Sequence, residues 1–246
     1  MPIIKRLGLV AFEPTWRAMQ MANKSRTPET PDEIWLLEHA PVFTLGLAGK
    51  PEHVLAPGDI PVIKTDRGGQ VTYHGPGQLV VYLLLDLKRL GFGVKELVKR
   101  IEQSVIDLLS EYGIEGFRKS GMPGVYVNSP SPSVPPPQGG REEGLAPPPT
   151  RERGWGEGDG EQSHTDAKIS AIGLRVANHA TYHGLSLNID MDLEPFSRIN
   201  PCGFAGLAVT QMVDCGADFG NKDKMQVIGD KLIFHLSQQL YGTHHG

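Results

Sequence analysis

Residues 79–87 read LVVYLLLDL. The run is apolar almost without a break, and Val80, Val81 and Tyr82 add β-branched and aromatic bulk, so it predicts a central strand buried on both faces. Downstream, Val94, Leu97, Val98, Ile101, Val105, Leu108, Leu109 and Tyr112 recur at i, i+3, i+4, i+7 spacing with Gly113 as the stop. That pattern predicts an amphipathic helix over 94–112. Upstream, Pro14–Ala22 reads as a short first helix. Asp32–Glu38 and Val42–Leu45 read as strands separated by Pro41, and Pro61–Thr65 as another. Gly124–Asn128 resumes strand character. Lys168–Val176 and Thr181–Ile189 follow as two strands joined by a turn at Ala177–Ala180 that contains Asn178 and His179. Lys222–Tyr241 carries Met225, Ile228, Leu232, Leu236 and Leu240 on one face of a terminal helix. Strands and helices mixed without strict βαβ alternation predict an α+β fold.

One composition shift interrupts this pattern. Ser129–Thr165 holds eight prolines and seven glycines in 37 residues, with almost no aliphatics. Such a stretch buries too little apolar surface to offset its ordering entropy, so it reads as a disordered excursion. Proline-rich segments can bind SH3-like or WW-like partners, but the plainer reading is a passive insertion, since loop closure entropy grows only logarithmically with length. The whole chain, 1–246, is then one domain interrupted at 129–165. With 39% apolar and 21% charged residues, it is neither collagen, coiled coil nor wholly disordered. No apolar run approaches the roughly 18 residues of a membrane span, and Met1–Ala11 lacks the apolar core of a secretion signal. The cytoplasm is the default expectation. A net charge of −4 and a pI near 6.1 argue against a dedicated nucleic-acid binder.

Chemistry concentrates in three segments. Asp66–Tyr82 reads DRGGQVTYHGPGQLVVY, in which four glycines and a proline are interspersed with Arg67, Gln70, Thr72, Tyr73, His74 and Gln78. Glycine pairs let backbone approach a ligand closely, and a plain turn does not need so many clustered polar side chains. The segment reads as a ligand-binding loop. It matches neither a Walker A motif nor a dinucleotide fingerprint, because a strand follows it rather than a helix. His74 on its own reads as a structural histidine. Ile199–Gly206, INPCGFAG, sets Cys202 on a loop framed by proline and glycine, where a nucleophile is accessible; taken alone, a small buried residue in a turn is the plainer reading. Cys215 has the acidic neighbour Asp214, which disfavours a thiolate, and reads as structural. Two cysteines thirteen residues apart make no disulfide framework and no C-x-x-C pair. Lys168 opens a strand, where most lysines merely reach solvent.

Together these segments resemble the lipoyl(octanoyl) transferase family. The resemblance rests on RGGQVTYHGPGQLVVY (67–82), KISAIGLRV (168–176), TYHGLSLNID (181–190) and NPCGFAG (200–206), with EHAPVFTLG (38–46) in support. It implies a mixed sheet flanked by helices, like the catalytic domain of biotin and lipoate protein ligases. It also implies transfer of an octanoyl group from the phosphopantetheine of acyl carrier protein to a specific lysine of lipoyl domains, those of 2-oxo acid dehydrogenases and of the glycine cleavage H protein. No bound cofactor and no metal are implied. Cys202 would be the nucleophile and Lys168 the group that lowers its pKa. Arg67, Gly68, Gly69, Gln70, Val71, Thr72, Tyr73 and His74 would line the acyl site, with Ala171, Ile172, Gly173, Gly184, Leu185 and Ser186 as further walls. The 129–165 insertion departs from the family pattern and bears on partner docking more than on chemistry.

Thioester exchange needs a thiolate, and a free cysteine with pKa about 8.5 supplies only a few per cent of it at neutral pH. An ammonium at roughly 4 Å in an effective dielectric near 20 interacts by about 4 kcal/mol, sufficient to depress the thiol by up to roughly three units. The acceptor lysine needs a base, first Lys168 and second His74. Arg67, Lys95, Lys99, Arg100, Arg118, Lys119 and Arg175 are candidates for a basic docking rim, although for most of them an ordinary solvated surface is the plainer reading. The rival readings are an ATP-dependent lipoate or biotin ligase, a cysteine amidase or peptidase using His74 or His183, and a non-catalytic binding module. His179 and His183 lack the cysteine or carboxylate cluster that would complete a metal set.

Overall fold

The computed structural model describes residues 2–129, 165–201, 207–220 and 222–242. The strands are β1 (Ile3–Val10), β2 (Glu33–His39), β3 (Val42–Leu45), β4 (Val62–Lys64), β5 (Val71–His74), β6 (Gln78–Leu84), β7 (Gly116–Lys119), β8 (Met122–Ser129), β9 (Thr165–Ala177), β10 (Ala180–Asn188) and β11 (Ala208–Val209). The helices are α1 (Phe12–Lys24), α2 (Leu87–Leu90), α3 (Val94–Ser110) and α4 (Lys224–Tyr241). The main sheet runs β1-β2-β6-β10-β9-β8-β7, with β11 added to β9, and a small sheet runs β4-β3-β5. β1 pairs β2 in parallel while β6, β10, β9 and β8 alternate in antiparallel fashion, so the sheet is mixed.

The apolar run of β6 is central because both its faces are covered. Leu79, Val81 and Leu83 join the core beneath α3 and α4, with Ile101, Val105, Leu108, Ile228, Leu232 and Leu236. Val80, Tyr82 and Leu84 point to the opposite face, against Met19 of α1. Burial on both sides removes any need for polar alternation. The strand ends before the predicted Leu87, because the Asp86 side chain accepts hydrogen bonds from the amides of Lys88 and Arg89 and caps α2. The small sheet has its own core of Phe43, Leu45, Val71, Tyr73, Phe196 and Ile199.

The predicted helices and the strands over 32–38, 42–45, 61–65, 124–128, 168–176 and 181–189 are present to within a few residues at their ends. Four strands were not expected. β1 is an edge strand with little burial, which leaves no alternation to read. β7 and β11 are short. β5 lies inside the segment read as a loop. The sequence pattern also did not separate β3 and β4 into a second sheet, since sheet membership is a long-range property.

Most of the 129–165 insertion, residues 130–164, lies outside the described residues. Its outermost positions are a correction: Ser129 and Thr165 are partners at the ends of the antiparallel pair β8–β9, not part of the excursion. No helix among the described residues is long and apolar enough to cross a membrane.

The β9–β10 hairpin closes through Asn178 and His179, at φ 52° and 62°, with Ala177 paired to Ala180. Positive φ at both loop positions is the type I′ requirement, and asparagine tolerates it better than histidine does. His179→Gly should therefore stabilise the fold by about 1 kcal/mol, measured as a rise in the urea midpoint with the denaturant slope unchanged.

Candidate active site

The glycine-rich turn before β5 is held by Arg67. Its guanidinium is buried, and NH2 donates to the Thr44 carbonyl (2.7 Å), the Gln70 carbonyl (2.7 Å) and Thr44 Oγ1 (2.9 Å). Nε donates to the same hydroxyl at 3.1 Å and NH1 to the Gly68 carbonyl at 2.8 Å. A side chain so committed anchors the turn to β3 and is no part of a docking rim. Other rim candidates are also engaged, Arg100 with Glu96 (2.9 Å), Arg118 with Glu102 (3.1 Å) and Lys119 with Asp166 (2.9 Å).

Above the main sheet, on the side opposite α3 and α4, this turn and β5 enclose a cavity. Arg67, Gly69, Gln70, Val71, Thr72 and His74 line it from one side. Ala171, Ile172 and Gly173 of β9 and Gly184, Leu185 and Ser186 of β10 line it from the other. Two of the expected wall residues sit elsewhere. Tyr73 faces the small core, its ring 5.5 Å from Phe43 and 5.6 Å from Phe196, because β5 alternates its faces. Gly68 acts through its backbone, donating its amide to the Leu174 carbonyl at 2.9 Å. Gly184 has to be glycine: a Cβ there would lie 2.0 Å from the Val81 carbonyl oxygen.

An adjoining compartment is lined by Lys168, Ser170, Asn188, Phe196, Pro201 and Val209, and it shares Thr72, Ala171 and Ser186 with the first. The two therefore meet at a common wall. Lys168 is only 5% exposed, far from the solvent-reaching lysine its position suggested, and its Nζ lies 5.2 Å from the centre of the Tyr126 ring. Opposite it Gly124 adopts φ 132°, and a Cβ there would lie 2.7 Å from Lys168 Cε. Cys202 falls in residues 202–206, outside the described residues; its neighbour Pro201 and Lys168 line the same compartment. Cys215 is half-buried, and burial pushes its thiol pKa up, an effect the Thr210 hydroxyl opposes and Asp214 reinforces. That fits the structural role expected of it.

The far side of the cavity is lined by Phe12, Tyr82 and His183, backed by His39 and Asp66; of these the sequence reading gave a role only to His183, as a histidine for the rival cysteine amidase or peptidase. His39 and His183 lie within the segments 38–46 and 181–190, but nothing in their spacing signals a shared wall. Asp66 accepts hydrogen bonds from Trp16 (2.8 Å), His183 (3.0 Å), Gln20 (3.1 Å) and the Tyr182 hydroxyl. Burial alone would raise its pKa; these donors, His183 foremost, hold it well below the usual carboxylate range. His183 adopts φ 60° within β10, a strained conformation that this network stabilises.

Three imidazoles stand here. His39 Nδ1 donates to the Val10 carbonyl (3.0 Å) and Nε2 accepts from the Tyr82 hydroxyl (2.7 Å). His74 Nδ1 donates to Gln78 Oε1 (2.7 Å), and Nε2 faces the Thr44 hydroxyl at 3.4 Å. Each arrangement satisfies a neutral ring. Burial pulls His39 down to about 4 and His74 to about 3, and it also lowers His183 despite the bond to Asp66. His74 is thus too weak a base to serve as the proton acceptor it was considered for, and both its ring nitrogens are engaged. His179 occupies the hairpin turn, not a strand face shared with His183.

Because His39 and His74 titrate lower folded than unfolded, the unfolded chain binds protons near pH 6 that the folded chain refuses. Their contribution is complete above about 6.5 and is lost as pH falls towards 4. Unfolding free energy should decline between pH 6.5 and 5 with a limiting slope of about 1.4 kcal/mol per pH unit for each histidine. His39→Gln should remove one histidine's share, as read from urea unfolding across that range; an equal slope in the variant would contradict the assignment.

Residues 14–233 match the lipoyl protein ligase A/B catalytic domain. The octanoyltransferase of Laribacter hongkongensis is 50% identical, over 98% of this chain and 97% of its own length. That of Chromobacterium violaceum is 52% identical, over 97% and 95%. Among solved structures, the bi-partite lipoate protein ligase of Thermoplasma acidophilum superposes with a TM-score of 0.62 at 13% identity, covering 97% of this chain and 84% of that one. This last likeness concerns the fold, which agrees with the predicted mixed sheet and helices. With half its residues shared along almost the whole length, the chain belongs to the octanoyltransferases that carry the lipoyl protein ligase A/B catalytic domain.

Proposed function

We propose that this octanoyltransferase carries its acyl group as a thioester on Cys202, with Lys168 beside the sulfur and the chain lying in the cavity between the two sheets. The family implies lipoyl domains as acceptors; the donor in this reading is octanoyl thioester on the phosphopantetheine of acyl carrier protein. The observation that carries the proposal is the compartment lined by both Lys168 and Pro201. Cys202 follows Pro201 directly in the sequence, which supports this compartment as the place where the nucleophile works. The surface the cavity presents is mostly apolar, which suits a fatty chain, and six buried methylenes contribute about 5 kcal/mol.

The reaction has two steps. In the first, the Cys202 thiolate attacks the donor carbonyl, a new S–C bond forms, the pantetheine C–S bond breaks, and the leaving thiolate takes the proton of the Lys168 ammonium, which leaves that amine neutral for the second step. Backbone amides stabilise the oxyanion between bond making and bond breaking. In the second, the lipoyl-domain lysine, after losing its proton to Lys168 in our reading, attacks the acyl-enzyme. The C–S bond to Cys202 breaks, which restores the thiolate, and the nitrogen releases its second proton to solvent as the amide forms. The ammonium of Lys168 favours the thiolate in the first step. Neither step consumes a nucleotide, which separates this reading from that of an ATP-dependent ligase.

Intact-mass spectrometry after mixing with octanoyl carrier protein, without ATP, should show one added octanoyl group, mapped to Cys202 and absent from Cys215. Cys202→Ala should take up none and lose transfer. Lys168→Ala should slow acylation at pH 7 by about 30-fold, the ratio expected when a fully ionised thiolate reverts to a free cysteine of pKa about 8.5. The deficit should shrink as the pH is raised towards 9. Transfer that requires ATP, or that survives Cys202→Ala, would overturn the proposal.

A further inference from the structure

The cavity crosses the main sheet instead of following a strand. Lys168 stands on β9, whereas the wall farthest from it rests on His39 of β2, with β10 and β6 between. Three interstrand spacings of about 4.8 Å separate the two sides, roughly 14 Å in all. With carbon–carbon bonds of about 1.5 Å, an extended octanoyl chain starting beside Lys168 covers about 9 Å of that distance, and the remainder is the space that a ring on the β2 side takes up, 5.2 Å from His39.

What it meets there is Phe12, the first residue of α1. The ring is 4% exposed and lies 5.2 Å from His39, 6.1 Å from Trp16 and, nearly parallel, 6.3 Å from His74. Its backing does not yield, because His39 is fixed at both ring nitrogens by Val10 and Tyr82. The N-cap residue Ala11 offers no side-chain cap to α1, so the start of the helix is held by Phe12 packing and by the Thr15 hydroxyl donating to the Ala11 carbonyl (2.8 Å). At this end His74, Tyr82 and His183 present polar groups already engaged with protein partners; Phe12 presents a rigid apolar surface. A terminal methyl group gains most against such a surface, and a longer chain has to displace the ring or bend away from it.

We infer that Phe12 is the chain-length stop of this transferase, the residue that makes an eight-carbon acyl group the longest the cavity holds without strain. The inference rests on the proposal that the cavity holds the acyl chain.

Competition among hexanoyl, octanoyl, decanoyl and dodecanoyl carrier proteins reads it directly as ratios of kcat/KM. In Phe12→Ala the decanoyl-to-octanoyl ratio should rise by about tenfold, close to the value of two buried methylenes. Phe12→Leu, which keeps the helix start packed, should move the ratio the same way by a smaller factor. Phe12→Trp should move preference the other way, raising hexanoyl over octanoyl. Ratios within twofold of the parent enzyme in both Phe12→Leu and Phe12→Trp, with octanoyl transfer continuing, would overturn the inference even if Phe12→Ala did not fold. Absence of a Cys202 adduct in the parent enzyme would instead count against the proposed function, so the two failures are distinguishable.

Discussion

The guanidinium of Arg67 joins the two sheets of this protein, and the cavity exists because it does. It grips Thr44 on the small sheet and the carbonyls of Gly68 and Gln70 in the turn, while its aliphatic part packs over Gly173 of the main sheet, where a Cβ would lie 3.2 Å from Arg67 Cδ. A buried cation is costly unless its donors are met. Once satisfied in this way, it can no longer serve as a surface charge. The same hydrogen-bonded chain continues from Thr44 to His74, to Gln78, to Asn188 and to the Thr210 carbonyl. The Thr210 amide in turn donates to the Lys168 carbonyl at 3.0 Å. Turn, cavity wall and buried lysine are thus parts of one network, in which a change at one point is felt at the others.

The two faces of the main sheet divide the work. One face packs against α3 and α4 in a largely apolar core and supplies rigidity. The other is shared by α1 and the small sheet, and between them, where neither fills the space, lies the cavity. Glycine at 173 and 184 keeps the floor low there, so that neighbouring backbone can approach. A binding site placed on rigid strands and roofed by a clamped turn holds its shape without ligand.

Polar groups lining an apolar cavity would ordinarily oppose its use. Here they are matched in advance: Asp66 takes four donors, His183 Nε2 among them, and the neutral rings of His39 and His74 direct both nitrogens at partners. A neutral, satisfied wall presents little unmet polarity to a hydrocarbon chain, and in the function proposed here the acid–base chemistry falls to the lysine end. The cost falls on stability in mild acid, where those imidazoles would otherwise gain protons.

Periodicity alone determined much of the architecture. The apolar run at 79–87, the heptad-like spacing at 94–112 and the strands on either side of Asn178–His179 are local patterns, and local patterns survive in a sequence. The glycine-rich segment was legible as a ligand-binding loop from its clustered polar side chains, whereas Lys168 and Cys202, taken alone a solvent-reaching lysine and a small turn residue, acquired a role only through the family resemblance. Hidden from the sequence were β1, an exposed edge without alternation, and β5, too short and glycine-flanked to look like a strand. Also hidden was the wall formed by Phe12, His39, Asp66, Tyr82 and His183, residues spread over 171 positions. That Arg67 is a clamp and Tyr73 a core residue was decided only by which sheet each side chain faced. Those assignments depend on pairings between distant strands, and no window of neighbouring residues contains them.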